Sequence, residues 1–286
     1  MSCKFLDLRA DAAGGNLASE PVPRDGSSLM TDAEVAQFVH GRDVLLGVHG
    51  FNVNRAQGIE HISGWADLLN VTIKENFCGV LWPGDSRWLP VLDYPIEGGE
   101  AIQSGRMLAK YLNRQFSNAA SLSFVSHSLG ARVVLETIRG LERRTRRLIM
   151  MAAAIDDDCL RDEYRDAATR IDQIAVLASR KDKTLAAAFP IGNLVEGLIT
   201  PTHPFWHAAL GRNGPQSPYP QQLHSPWQLW DCWGFDHKDY LHGCSQPVAK
   251  MRYPIDIGLA DAFPAAYWND DTKPAWAAAY TSTRFE

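Results

Sequence analysis

Five short apolar runs, separated by stretches with helical periodicity, constrain this chain more than any other feature. "VLLGV" (44–48), "FCGVLW" (77–82), "LSFV" (122–125), "LIMMAAAI" (148–155) and "IAVLAS" (174–179) are almost continuously apolar, the pattern of strands covered on both faces. Between them Ile59, Ile62, Trp65, Leu68 and Leu69, and then Met107, Leu108, Tyr111, Leu112 and Phe116, recur at the spacing of a single apolar helix stripe. The alternation predicts an α/β fold, with a mostly parallel central sheet flanked by helices on both faces. Ahead of the first run, Thr31 and Glu34 stand at capping-box spacing with Gly41 beyond them, which predicts a short leading helix.

With 286 residues, 45% of them hydrophobic, the chain can bury one large core, and a single domain over 1–286 is expected. From about Phe189 the periodicity fades into a segment rich in Pro, Trp and His, "PTHPFWHAALGRNGPQSPYPQQLHSPWQLW". So many large aromatics are foreign to a linker, so 186–230 is read as a lid or pocket-forming insertion within the domain. The tail from Met251, with Trp268, Trp276 and Tyr280, is expected to pack back on the body.

The residues between the third apolar run and the helical pattern after it carry chemistry. "FVSHSLGARVV" nearly spells Gly-x-Ser-x-Gly, with Ser126 where the first glycine would stand and Ser128 at the nucleophile position. A serine hydroxyl attacks a carbonyl only when a base takes its proton and its geometry is fixed. A strand-to-helix turn does the fixing, and the apolar "LSFV" before Ser128 and the amphipathic "LGARVVLETI" after it supply that setting. Serine at 126 adds one hydroxyl to a site that calls for a small residue, and Gly130 and Ala131 keep the far side small. At the end of the first apolar run, "VHGFNVN" stands where hydrolases of this topology form an oxyanion-hole loop, with the backbone amides of Phe51 and Leu129 as the expected donors. His49 is read as orienting that loop and lying at the substrate site. His127, adjacent to Ser128 in sequence, is read as pointing away from it.

These segments, with "VLWPGDS", "VLASRKDKTL" and "FDHKDYL" in that order, resemble the α/β-hydrolases, specifically the lipase/esterase-like serine hydrolases and an uncharacterised bacterial branch of them. The resemblance implies the order nucleophile, acid, histidine. It makes Asp182, after "IAVLAS", the leading acid, with Asp156, Asp157 and Asp158 as the competing set. In "FDHKDYLHG" it makes His237 the base, in the His-x-x-Tyr arrangement with Tyr240, and His242 the alternative. Histidine suits the role because its ordinary pKa, about 6.5, lets it accept and return a proton near neutrality. The implied function is a serine hydrolase cleaving a carboxylic ester or similar acyl compound through an acyl-enzyme. Phe189, Trp206 and Trp227 would line the pocket for a hydrophobic small-molecule acyl substrate. A noncatalytic binding or scaffolding protein of the same fold is the alternative.

Other partners and cofactors find little support. A formal charge of −5 offers no general attraction for nucleic acid or an anionic membrane, and no run of about 20 apolar residues is present to cross one. Without a signal-like N-terminal stretch, a cytoplasmic location is expected. Five cysteines without a CxxC pair fit reduced thiols. Cys232, His237, His242 and Cys244 are zinc-ligand types at a non-standard spacing, and His203 and His207 are interrupted by Pro204, so no metal is expected. With neither a P-loop nor GxGxxG, no cofactor is expected. The basic run "ERRTRR" (142–147) is read as a solvated helix end.

Overall fold

The computed structural model describes residues 3–10, 16–67, 75–84, 94–187, 208–224 and 235–239. Its strands are β1 (Lys4–Arg9), β2 (Leu17–Asp25), β3 (Ser28–Leu29), β4 (Asp43–Val48), β5 (Phe77–Leu81), β6 (Ser121–His127), β7 (Thr145–Met151), β8 (Ile171–Leu177) and β9 (Leu223–His224). The helices are α1 (Asp32–Val39), α2 (Arg55–Asp67), α3 (Tyr94–Gln115), α4 (Gly130–Gly140), α5 (Arg165–Thr169) and α6 (Leu210–Asn213). The strands form one sheet in the order β3-β2-β1-β5-β4-β6-β7-β8-β9, parallel from β1 through β9 and antiparallel at β2 and β3.

Helix starts follow local chemistry. Thr31 accepts from the Glu34 amide at 3.3 Å while the Glu34 carboxylate accepts the Thr31 amide at 2.7 Å, a complete capping box. Asn54 and Gln57 exchange the same pair of bonds at the head of α2, at 2.9 and 3.1 Å. The apolar stripes then bury Ile62 and Trp65 from α2, Leu108, Tyr111 and Leu112 from α3, and Val133, Val134 and Ile138 from α4 against the sheet.

The topology fixes where a site can form. From β4 the chain moves to β5 on one side, then returns past β4 to β6 and on to β7 and β8. Right-handed crossovers therefore put α2 on one face and α3, α4 and α5 on the other. The direction reverses between β4 and β6, and the loops leaving their carboxyl ends diverge into a crevice at that switch point. Those loops carry His49–Asn54 and Ser128.

Three features differ from the sequence expectation. The N-terminal strands were not anticipated, because β1 mixes apolar residues with Asp7 and Arg9, both buried, and β2 contains Pro21 and Pro23. The apolar run 148–155 stops being strand at Met151, where Ala152 takes φ 45°. The basic run is no solvated helix end: α4 stops at Gly140 and β7 begins at Thr145. Arg143 reaches the carbonyls of Ala119 and Ala120 at 2.8 and 2.9 Å, and Arg144 and Arg146 pair with Asp172 and Asp43. Most of 186–230, including Phe189, Trp206 and Trp227, lies outside the described residues, as do His203, His207, Cys232, Tyr240, His242, Cys244 and the tail with Trp268, Trp276 and Tyr280. Within 208–224, α6 and β9 add a short helix and an edge strand paired with β8.

Candidate active site

Strand β6 ends at His127, and Ser128 turns the chain into α4 through φ 52°. A non-glycine residue in the left-handed region costs about 1–3 kcal/mol and persists only where its surroundings hold it. Here the Ser128 amide donates to the Met151 carbonyl at 3.0 Å. On the other side α4 packs directly on the end of β4: a Cβ at Gly130 would lie 2.4 Å from the His49 carbonyl oxygen and 2.8 Å from that of Val48. Gly130 is thus required by the approach of the helix to the strand.

Asp182 follows β8 and is fully buried. One carboxylate oxygen caps the short helical turn after it, accepting the Leu185 amide at 2.8 Å, and the other meets His237 Nδ1 at 2.8 Å. His237 Nε2 lies 3.0 Å from Ser128 Oγ. A carboxylate can only accept, so Nδ1 carries the proton and Nε2 presents its lone pair to the serine hydroxyl. Among the described residues, the carboxylate on the His237 ring belongs to Asp182. The competing acids are engaged elsewhere: the Asp156 backbone bridges to Ala209, the Asp157 carboxylate accepts from Gln216 at 2.7 Å, and Asp158 pairs with Arg161, three residues on, at 3.6 Å.

Residues that the sequence did not single out secure the histidine. Ser179 Oγ donates to the Phe235 carbonyl at 2.6 Å, and Asp236 Oδ1 accepts the amides of Lys183 and His237 at 3.0 and 2.8 Å. Burial raises the Asp236 pKa, but those two amides and nearby positive charge outweigh it and hold the carboxyl below its ordinary range. Asp236 sits next to His237 in "FDHKD", and the Asp236 to Asp239 spacing is the available turn signal: Asp236 N donates to Asp239 Oδ2 at 2.8 Å.

His49 is buried, 1% exposed, and lies inside the loop rather than on an open wall. The Trp82 amide donates to His49 Nε2 at 3.3 Å, Trp82 Nε1 donates to the His49 carbonyl at 2.8 Å, and the two rings stack. Nε2 being an acceptor, Nδ1 carries the proton and donates to the Gly50 carbonyl at 2.8 Å. Burial, reinforced by the charge of Arg9, pushes the His49 pKa down to about 3, so the ring is neutral. Asn52 and Val53 are pinned in turn by Gly84, through a 2.7 Å bond and a bridge, while Arg9 Nη2 donates to the Val53 carbonyl at 2.7 Å. Leu129 follows Ser128 at the head of α4 and Phe51 follows Gly50, where a Cβ would lie 2.9 Å from that of Ser128; among the described residues neither the Phe51 nor the Leu129 amide has a backbone acceptor.

Residues 29–218 match the family described as "Alpha/beta hydrolase of unknown function (DUF900)". The chain belongs to this family. The alpha/beta hydrolase match takes in Ser128 and Asp182 but stops short of His237. No curated protein matches the chain. Among solved structures, an uncharacterized protein from Bacillus cereus ATCC 10987 is 14% identical over 62% of this chain and 52% of its own, with a TM-score of 0.37. Phospholipase PlaB from Legionella pneumophila, in complex with thio-NAD, is 12% identical over 49% of this chain and 38% of its own, with a TM-score of 0.31. This alpha/beta hydrolase therefore spans about half the length of the first and less of the second, and likeness at that level carries no argument about its chemistry. Among the described residues no helix is long and apolar enough to cross a membrane, and no cluster of three potential metal ligands occurs.

Proposed function

We propose that the protein is a serine hydrolase acting on a carboxylic ester or similar acyl compound. The observation that carries the reading is the hydrogen-bonded chain Asp182–His237–Ser128, with spacings of 2.8 and 3.0 Å, at the switch point of the sheet. As the Ser128 oxygen bonds to the acyl carbon, His237 Nε2 takes the hydroxyl proton. Asp182 holds Nδ1–H and favours the resulting imidazolium. The amides of Phe51 and Leu129 receive the developing oxyanion. His237 then returns the proton to the leaving alkoxide, and a water deprotonated by the same nitrogen hydrolyses the acyl-enzyme and regenerates the serine. The noncatalytic alternative calls for an imidazole far from Ser128, and the 3.0 Å spacing gives it no support.

The test is a fluorophosphonate probe followed by peptide mapping, alongside p-nitrophenyl esters of increasing acyl length. Labelling at Ser128 that disappears in Ser128→Ala, with ester hydrolysis lost in parallel, is expected. Absence of labelling in the wild type, or equal labelling of the variant, rejects the proposal. The ester series also reports how large and how apolar the acyl pocket is.

A further inference from the structure

His127 stands where three loops meet, and the reaction described above gives it no task. It ends β6 immediately before Ser128 and is 7% exposed. Its Nε2 lies 2.7 Å from the backbone carbonyl oxygen of His237. Its ring centroid is 4.7 Å from that of His237, with the planes inclined by 58°. Its Nδ1 faces Gly50, where a Cβ would come within 3.0 Å of it. One imidazole therefore touches the histidine loop and the loop after β4 while belonging to the serine turn.

The protonation of this ring follows from its partner. A carbonyl oxygen can only accept, so Nε2 carries the proton and donates. Burial, and after it the neighbouring His237 charge, pushes the His127 pKa well below its ordinary value, so Nδ1 is unprotonated and the ring is neutral. A neutral neighbour at this distance leaves His237 free to become positive when it takes a proton. It also leaves His127 unsuited to be the base: its one unprotonated nitrogen, Nδ1, faces Gly50, and burial disfavours the charged ring.

We infer that His127 is a positioning residue that fixes the backbone of His237 and thereby sets the imidazole at hydrogen-bonding distance from Ser128. Asp182 holds the imidazole at Nδ1 from the β8 side; His127 holds the carbonyl of the same residue from the β6 side. With both in place one ring nitrogen and the backbone carbonyl of His237 are fixed. Ser179 and Asp236 tie down the adjoining residues, but only to the β8 loop. The bond from His127 links the histidine directly to the strand that carries the serine. Losing it leaves the relative position of the two loops to longer-range packing, and displacements near 1 Å at such a site cost about 100-fold in rate.

The inference rests on the proposed hydrolase reading, and the test separates the two. His127→Phe keeps an aromatic ring without a donor. His127→Gln places an amide N–H close to the position of Nε2, whereas His127→Asn places one near Nδ1, short of the carbonyl. With p-nitrophenyl acetate, His127→Phe is expected to lower kcat by about 10- to 100-fold with KM little changed, and His127→Gln to recover most of the loss. A readout independent of turnover is the downfield imidazole proton of His237 Nδ1–H in NMR spectra, expected to broaden or vanish in His127→Phe and to persist in His127→Gln. Unchanged kcat together with an unchanged resonance in His127→Phe overturns the inference. If that variant does not fold, the Gln and Asn variants decide: equal kcat and equal spectra overturn it, and a deficit confined to Asn supports it. A wild-type protein that neither hydrolyses esters nor labels at Ser128, yet loses the resonance in His127→Phe, overturns the hydrolase reading and leaves the positioning role standing.

Discussion

Gly50 and Ser128 approach so closely that a methyl group on Gly50 would stand 2.9 Å from the serine Cβ. Gly50 supplies space here and not a left-handed backbone. The neighbours are the Ser128 Cβ, the His127 ring and the His127 carbonyl, all held by the turn. Gly50→Ala should therefore fold, since no core packing is lost, but with the loop after β4 and the serine turn pushed apart. A fall in kcat/KM of about 100-fold or more, with a melting temperature within a few degrees of wild type, is expected. Ester hydrolysis and circular dichroism melts check it; full activity in the folded variant would contradict the close approach.

Asp182 does two things with two oxygens, and substitutions can separate them. Asparagine keeps an acceptor for the Leu185 amide but offers an amide N–H to His237 Nδ1. That forces the wrong imidazole tautomer, and a loss in kcat of about 10⁴-fold is the scale seen for such a change. Stability should barely move. Asp182→Ala should lose comparable activity and about 1 kcal/mol of stability as well, because the cap is gone. Equal stability in the two variants, by urea denaturation, would remove the capping role.

The central strands and the helices after them were legible because fully covered strands and one-sided helices leave strong periodic signals. Ser128 and the "VHGFNVN" loop were legible for a related reason: a turn demanding small residues leaves a local pattern. The N-terminal strands were not, since Asp7 and Arg9 are buried by pairing and contact rather than by apolarity. Asp7 meets Arg55 at 2.7 Å and Arg24 at 3.4 Å, and no local pattern encodes partners so distant in sequence. The supports of His237 were illegible for the same reason. Ser179, Asp236 and His127 act through backbone groups, which every residue type presents alike, so only folding shows which carbonyl each side chain meets.

Ser126, where the first glycine of Gly-x-Ser-x-Gly would stand, is fully buried, and its hydroxyl points to the Ile149 carbonyl of β7 at 3.5 Å. That is a weak bond, directed at the neighbouring strand. Ser126→Gly should change kcat/KM by less than about threefold, under 1 kcal/mol in barrier. It should destabilise the fold by about 0.5–1 kcal/mol through the backbone freedom of glycine in a strand. A large rise or fall in activity without a stability change would place the hydroxyl in the reaction after all.

Two buried neutral histidines make the fold acid-sensitive. Burial first, and the charge of Arg9 second, lowers His49 to about 3; burial first, and His237 second, lowers His127 well below its ordinary value. In the unfolded chain both return to about 6.5. Because the folded values are the depressed ones, an unfolded molecule below about pH 6.5 binds two protons that the native one refuses. The stabilisation is complete above about pH 6.5 and is lost as pH falls from there down to the depressed folded values, about 3 for His49, by about 1.4 kcal/mol per pH unit for each histidine while it stays neutral in the native state. Carboxylates add their own slopes at the acid end, so the decisive quantity is a difference between variants. Urea denaturation at pH 7, 6 and 5 should show wild-type stability falling more steeply than that of His127→Gln, the gap widening by about 1.4 kcal/mol per unit below pH 6.5. Parallel curves would mean that His127 protonates in the native protein, and its ring would then carry a charge beside His237.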